Sequence, residues 1–204
     1  LNEKIFRELW SPKVLHFFNC LNISGKWTEG FNEGTIHWGD ARQKIYEIHD
    51  SLMFDLILLD PFSPQKCPEL WSEEFISLLT KRLSPEGRLI TYSTAASIRS
   101  SFIRAGLKIF SIVPSFDDQH KWSAGTVAMK KEIKRQFISK NCQFKDLSTR
   151  EIEHLATRSS IPYRDPSVKG NSKEIISTRE LEQSKSQLIN TSSWRKRWNT
   201  AQKQ

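Results

Sequence analysis

The run Phe54 to Asp60, FDLILLD, ends on a carboxylate and leads at once into Pro61, Phe62, Ser63 and Pro64. An aspartate at the end of an apolar strand, followed by two prolines flanking an aromatic, makes a stiff wall that can hold a planar group and aim a carboxylate at an amine. Asp60 can accept a hydrogen bond from such an amine and take up its proton. The plainer reading makes Asp60 a turn cap and Phe62 core, and leaves both prolines unexplained. A second place of this kind is Gly39 and Asp40, at the end of GTIHWG. An aspartate there can accept from the exocyclic amine of an adenine, while the helix start after it offers free backbone N–H groups. By spacing alone Asp40 reads equally as a helix N-cap.

Ligands of doubly wound sheets sit outside the carboxyl ends of the strands, so the elements that present these residues decide the reading. Residues 3 to 22 have helical periodicity, broken where Ser11 and Pro12 suit an N-cap and first turn. Gly34 to Gly39 reads as a short strand and Asp40 to Ile48 as a short helix. FDLILLD has the continuous branched-aliphatic character of a strand buried on both faces of a parallel sheet. A Pro-rich loop, Pro61 to Leu70, leads to an amphipathic helix from about Ser72 to Leu83, with Glu73 and Glu74 in its first turn. SPEG then turns the chain. Arg88 to Ser93 reads as a strand, Ala95 to Ala105 as a helix ended by Gly106, and Leu107 to Val113 and Thr126 to Lys130 as two more strands. This order is that of an α/β, doubly wound sheet ending in a hairpin.

Beyond Lys131 the composition turns to charge and Ser/Thr. Ser148 and Glu151 form a capping box for a helix to about Arg158, and Ser172 caps another to about Ile189. IPYRDP lies between them, and SSWRKRW near the end. Of the chain's 31 Lys and Arg and 23 Asp and Glu, 17 cations against 8 acids lie after Met129. Such a tail suits a polyanion, or is simply a solvated end.

The 204 residues are 37% apolar and 11% aromatic, enough for a globular core. No run of about 18 apolar residues predicts a membrane span, and LNEKIFRELW lacks the apolar core of a secretory signal, so the cytoplasm is the expected compartment. Cys20, Cys67 and Cys142 are scattered and odd in number, which predicts reduced thiols, no disulfide framework and no metal site.

HWGDARQKI, FDLILLDPFSPQKCPELWSEEF and LSPEGRLITYSTAASIRSSFIRAGL together resemble the methyltransferase domain of the MnmC type, over about Thr35 to Lys130. The distinctive spacing is Asp60, Phe62, Pro64, Lys66, Pro68 and Trp71. Pro61 departs from it, standing where the pattern usually has Gly or Ala. The resemblance implies a class I, Rossmann-like fold and transfer of the methyl of S-adenosyl-L-methionine to the primary amine of 5-aminomethyl-2-thiouridine at the tRNA wobble position. It implies Asp60 as the catalytic acidic residue beside the amine, and Gly39, Asp40, Asp60 and Pro61 as cofactor contacts. Phe62, Pro64, Lys66 and Trp71 would contact substrate, Lys66 through phosphate and Trp71 by stacking or, more simply, by helix packing. Arg99 and Arg104 begin a further rim, although helix-face arginines are usually solvated.

Class I methyltransferases carry a Gly-rich turn after the first strand and an acid after the second. Gly25, Gly30 and Gly34 follow no apolar strand, so the chain reads as entering the domain after its second strand. The expected organisation is a lead-in over 1–34, the catalytic-loop half of the methyltransferase domain over 35–131, and a basic tail over 132–204. No flavin-dependent oxidase domain is expected, and binding of the cofactor by this chain alone is expected to be weak. Two alternatives remain: a base amino-methyltransferase with an Asp-Pro-Pro-aromatic loop, and a non-catalytic RNA-binding fragment in which Trp194 and Trp198 stack on bases between Arg195, Lys196 and Arg197.

Overall fold

The computed structural model describes residues 10–118, 122–131 and 143–201. The helical reading of residues 3 to 9 lies outside them. Two compact units divide the chain, one up to Glu47 and one from Ile48.

In the first unit, helix α1 (Pro12–Ser24) starts where its sequence demands. Ser11 accepts from the Val14 backbone N–H, Pro12 occupies the first turn, and Gly25 ends the helix at φ 72°. Strands β1 (Lys26–Glu29) and β2 (Asn32–Thr35) follow as an antiparallel hairpin, closed by Gly30 and Phe31. Trp27 lies opposite Gly34, where a Cβ would come within 2.1 Å of the indole, so its partner must be glycine. The Trp27 ring stacks on Phe17 at 4.4 Å. The expected strand Gly34 to Gly39 is therefore corrected: Gly34 and Thr35 belong to this hairpin, and Ile36 to Gly39 are not strand. Short helix α2 (Ala41–Lys44) begins at Asp40.

The second unit carries a five-stranded sheet of order β3-β4-β6-β5-β7, from β3 (Phe54–Leu58), β4 (Leu83–Thr91), β5 (Lys108–Ile112), β6 (Gly125–Met129) and β7 (Phe144–Lys145). β3 and β4 are parallel, joined through helix α3 (Glu73–Arg82), while the other pairs are antiparallel. A parallel pair needs such a crossover, and β5 and β6 form the expected closing hairpin. Phe54 pairs with Leu83 but Leu56 with Arg88, so Ser84 to Gly87 bulge out of β4. The SPEG turn is thus a bulge within a strand. Gly87 sits where a Cβ would meet the Phe54 carbonyl oxygen at 2.7 Å.

Helix α4 (Ala96–Arg104) packs on α3 and β5. Leu83, Leu89, Ile98 and Phe102 are wholly buried, and Phe110, Val127 and Met129 form a cluster with Ile90, Ile112 and Phe144. One expectation fails: β3 is the terminal strand of the described sheet, and Leu56 and Leu58 are 53% and 69% exposed. Paired on one side, it is not buried on both faces.

The C-terminal segment is ordered into helices α5 (Thr149–Leu155), α6 (Ser172–Lys185) and α7 (Thr191–Ala201). The Ser148–Glu151 capping box is present. α6 has a second box, from Asn171 and Glu174, so the cap lies one residue before Ser172 and the helix stops short of Ile189.

Candidate active site

β3 delivers Asp60 to the start of an irregular loop that ends in a short 3₁₀ turn, Pro68–Trp71, before α3. Asp60, Pro61, Phe62, Ser63, Cys67, Leu70 and Tyr92 line a pocket of about 550 Å³. Phe62 is 77% exposed, which leaves its ring available as a wall for a planar ligand. Within the loop the Lys66 and Cys67 amides both donate to the Ser63 carbonyl, at 2.8 and 3.0 Å, and fold it into a tight turn.

Two aromatic side chains fasten this loop from behind. The Trp71 indole N–H donates to the Phe62 carbonyl at 2.7 Å, and the Tyr92 hydroxyl donates to the Pro61 carbonyl at 3.0 Å. Their rings meet edge to face with centroids 6.0 Å apart. Partial burial, with the Asp60 carboxylate and Cys67 nearby, pushes the Tyr92 hydroxyl above its usual range, so it stays a donor at neutral pH. Trp71 has no exposed surface. It supports the loop and presents no face to a ligand, which corrects its place among the substrate contacts. Pro64 and Lys66 belong to the loop but not to the pocket lining, and Lys66 is exposed.

Sequence reasoning singled out Asp60, Pro61 and Phe62 and passed over Ser63, Cys67, Leu70 and Tyr92. Tyr92 carried a usable signal, since it follows the last residue of β4 on the ligand-facing side of such sheets.

Asp40 and Gly39 lie in the first unit. Asp40 caps α2, its carboxylate accepting from the Arg42 backbone N–H at 2.9 Å and from the Arg42 guanidinium at 2.7 and 3.2 Å. The Arg42 hydrogen bonds, against a smaller effect of burial, hold this carboxyl below its ordinary range. Arg42 takes up part of the carboxylate's acceptor capacity, and the side chain, 41% exposed, can still accept a further N–H. Gly39 takes φ 125°, open to glycine and rarely to other residues.

The tail residues that could stack on bases are committed elsewhere. Trp194 is 5% exposed and stacks on His154 at 4.4 Å, and the Trp198 N–H donates to Glu153 at 2.6 Å. The Arg150 guanidinium lies over the Trp122, Trp194 and Trp198 rings. Arg99 is likewise no rim residue: it is buried against Glu151 at 2.7 Å and also donates to Thr126, Ser123 and the Gly125 carbonyl. Arg104 pairs with Glu73 at 2.9 Å. Among the described residues no cluster of His, Cys, Asp and Glu could hold a metal ion, and no helix is long and apolar enough to cross a membrane.

Comparison with known proteins agrees with this geometry. The family described as S-adenosyl-L-methionine-dependent methyltransferase matches residues 7–128. An uncharacterised protein of Methanocaldococcus jannaschii is 29% identical over 85% of this chain and 45% of its own length. The tRNA 5-methylaminomethyl-2-thiouridine biosynthesis bifunctional protein MnmC of Azoarcus sp. strain BH72 is 36% identical over 37% of this chain and 12% of its own. The crystal structure of MnmC2 from Aquifex aeolicus superimposes with a TM-score of 0.70 at 26% identity, over 87% of this chain and 53% of that one. The chain thus spans about half or less of the relatives it matches. With an aspartate ending a strand beside a ligand-sized pocket, the α/β sheet and the match over most of the chain lead to one conclusion: this protein belongs to the family of S-adenosyl-L-methionine-dependent methyltransferases.

Proposed function

We propose that the Asp60 pocket is the methyl-acceptor end of the active site, and that the acceptor is the primary amine of 5-aminomethyl-2-thiouridine at the wobble position of tRNA. The observation that carries the reading is the Asp60 carboxylate at the mouth of β3, bordered by the exposed Phe62 ring. The likeness to MnmC proteins supports the choice of substrate.

S-adenosyl-L-methionine, when bound, supplies an electrophilic methyl on a sulfonium. Displacement at that carbon is in-line, so the protein's task is to present a neutral amine with its lone pair correctly aimed. Asp60 does this by accepting an N–H of the amine, and it takes up the proton that nitrogen sheds as the new N–C bond forms. Phe62 packs against the base. Pro61 borders the cofactor in this reading, and the cofactor roles of Gly39 and Asp40 rest on the sequence resemblance alone. Lys66 and Pro64 stay at the rim, where Lys66 meets an RNA phosphate.

Asp60→Asn keeps the shape of the loop and removes the proton acceptor. It is expected to lower methyl transfer to tRNA carrying the free aminomethyl group by at least about a hundredfold, with cofactor affinity largely kept. Turnover like that of the wild type would overturn the role.

A further inference from the structure

We infer that Tyr92 is a positioning residue for Asp60, and that the C-terminal extension, outside the stretch matched by the methyltransferase family, is the buttress of the same loop. The inference rests on the methyltransferase reading above and adds residues to it.

Asp60 is exposed at the end of a terminal strand. A carboxylate so placed can aim at an amine only if the backbone after it is fixed. The fixing is done by two donors on consecutive carbonyls: Tyr92 on Pro61 and Trp71 on Phe62. Tyr92 stands on the core strand β4 side of the pocket, and Trp71 on the turn before α3.

That turn and the first turn of α3 that follows it are held by the extension. The Glu73 amide donates to the Tyr163 carbonyl at 2.9 Å, in a parallel bridge between Ser72 and Tyr163. Arg164 pairs with Glu74 at 2.8 Å, and the Asp165 amide donates to the same carboxylate at 2.7 Å. Ser172 donates to Glu69 at 2.9 Å, within the turn that carries Trp71. Tyr163 and Asp165 are buried, and the Asp165 carboxylate accepts from Ser167, Lys169 and Gly170, so the IPYRDP loop is a folded wedge. The segment's role is mechanical support of the catalytic loop, separate from any contribution of its charge to RNA binding.

The test is Tyr92→Phe, which keeps the pocket wall and deletes one hydrogen bond, alongside Arg164→Gln in the extension. Two readouts are taken on the full chain. Hydrogen exchange of the Lys66 and Cys67 amides, which close the loop on Ser63, is expected to quicken about tenfold in Tyr92→Phe and to a smaller extent in Arg164→Gln. Methyl transfer to tRNA is expected to lose about tenfold in kcat with KM for tRNA within about twofold of the wild type. Unchanged exchange in Tyr92→Phe would overturn the positioning role, as would a raised tRNA KM at constant kcat, which would make Tyr92 a substrate contact. Unchanged exchange in Arg164→Gln would overturn the buttress. A wild-type chain that transfers no methyl at all would count against the proposed function, and exchange would still decide the clamp.

Discussion

Arg99 and Glu151 show how far a single residue's environment can depart from its local sequence. Burial alone would raise the Glu151 carboxyl, but hydrogen bonds from Ser148, Ser111 and Arg99 outweigh it and hold the group ionised. Removing one partner strands the other charge inside the protein. Arg99→Met is expected to cost about 3–5 kcal/mol, and adding Glu151→Leu should recover much of it; urea unfolding of the single and double variants checks both. Burial also pushes His154 down to about 4 from its ordinary 6.5, helped by Arg99, Arg195 and Arg150. Between those values the unfolded chain binds the proton and the native one does not. His154 therefore contributes stability that is full above about pH 6.5 and is lost as pH falls toward 4. Because its ring stacks on Trp194, melting temperature and tryptophan fluorescence between pH 7 and 4 should fall together, and His154→Phe should flatten that slope. None of this was legible from composition. Arg99 looked like a solvated helix-face arginine because its partner lies 52 residues away, whereas Asp60 was legible because a strand-end carboxylate and its prolines are neighbours in sequence.

At the scale of elements, the capping residues and apolar periodicity located most helices and strands, because those signals are local. The GTIHWG reading failed because the Trp27–Gly34 pairing that makes the hairpin joins two stretches that each look polar. The burial of β3 failed for a different reason: apolar content does not say how many neighbours a strand has. With Leu56 and Leu58 exposed, β3 offers an apolar edge to other chains. Leu58→Lys is expected to reduce self-association in analytical ultracentrifugation by an amount that grows with protein concentration, and to leave the thermal midpoint within a few degrees. Equal association in the variant would place the contact elsewhere.

The excess of basic charge lies after Met129 in sequence, whereas the pocket residues lie between Asp60 and Tyr92. The excess of cations after Met129 sits in a segment whose tryptophans pack onto α5, so stacking on RNA bases by Trp194 is not available in this arrangement. A contribution of this segment to RNA binding would then come from phosphate neutralisation by exposed side chains such as Arg195 and Lys196 of α7. Arg195→Gln with Lys196→Gln should lower the slope of log affinity for tRNA against log salt by up to about 2, without loss of helical signal; an unchanged slope would assign these residues to solubility. The same segment's IPYRDP loop, invisible as a functional element in sequence because it carries no motif for the chemistry, reaches back to the first turn of α3, directly after the turn that carries Trp71.

In the proposed reaction Asp60 presents an amine for methylation. The most direct test is transfer of labelled methyl from S-adenosyl-L-methionine to tRNA bearing 5-aminomethyl-2-thiouridine, by the protein and its Asp60→Asn variant side by side. Label is expected in the modified nucleoside with the wild type and almost none with the variant, at similar cofactor affinity. Equal labelling by both proteins, or label in a different nucleoside, would contradict it.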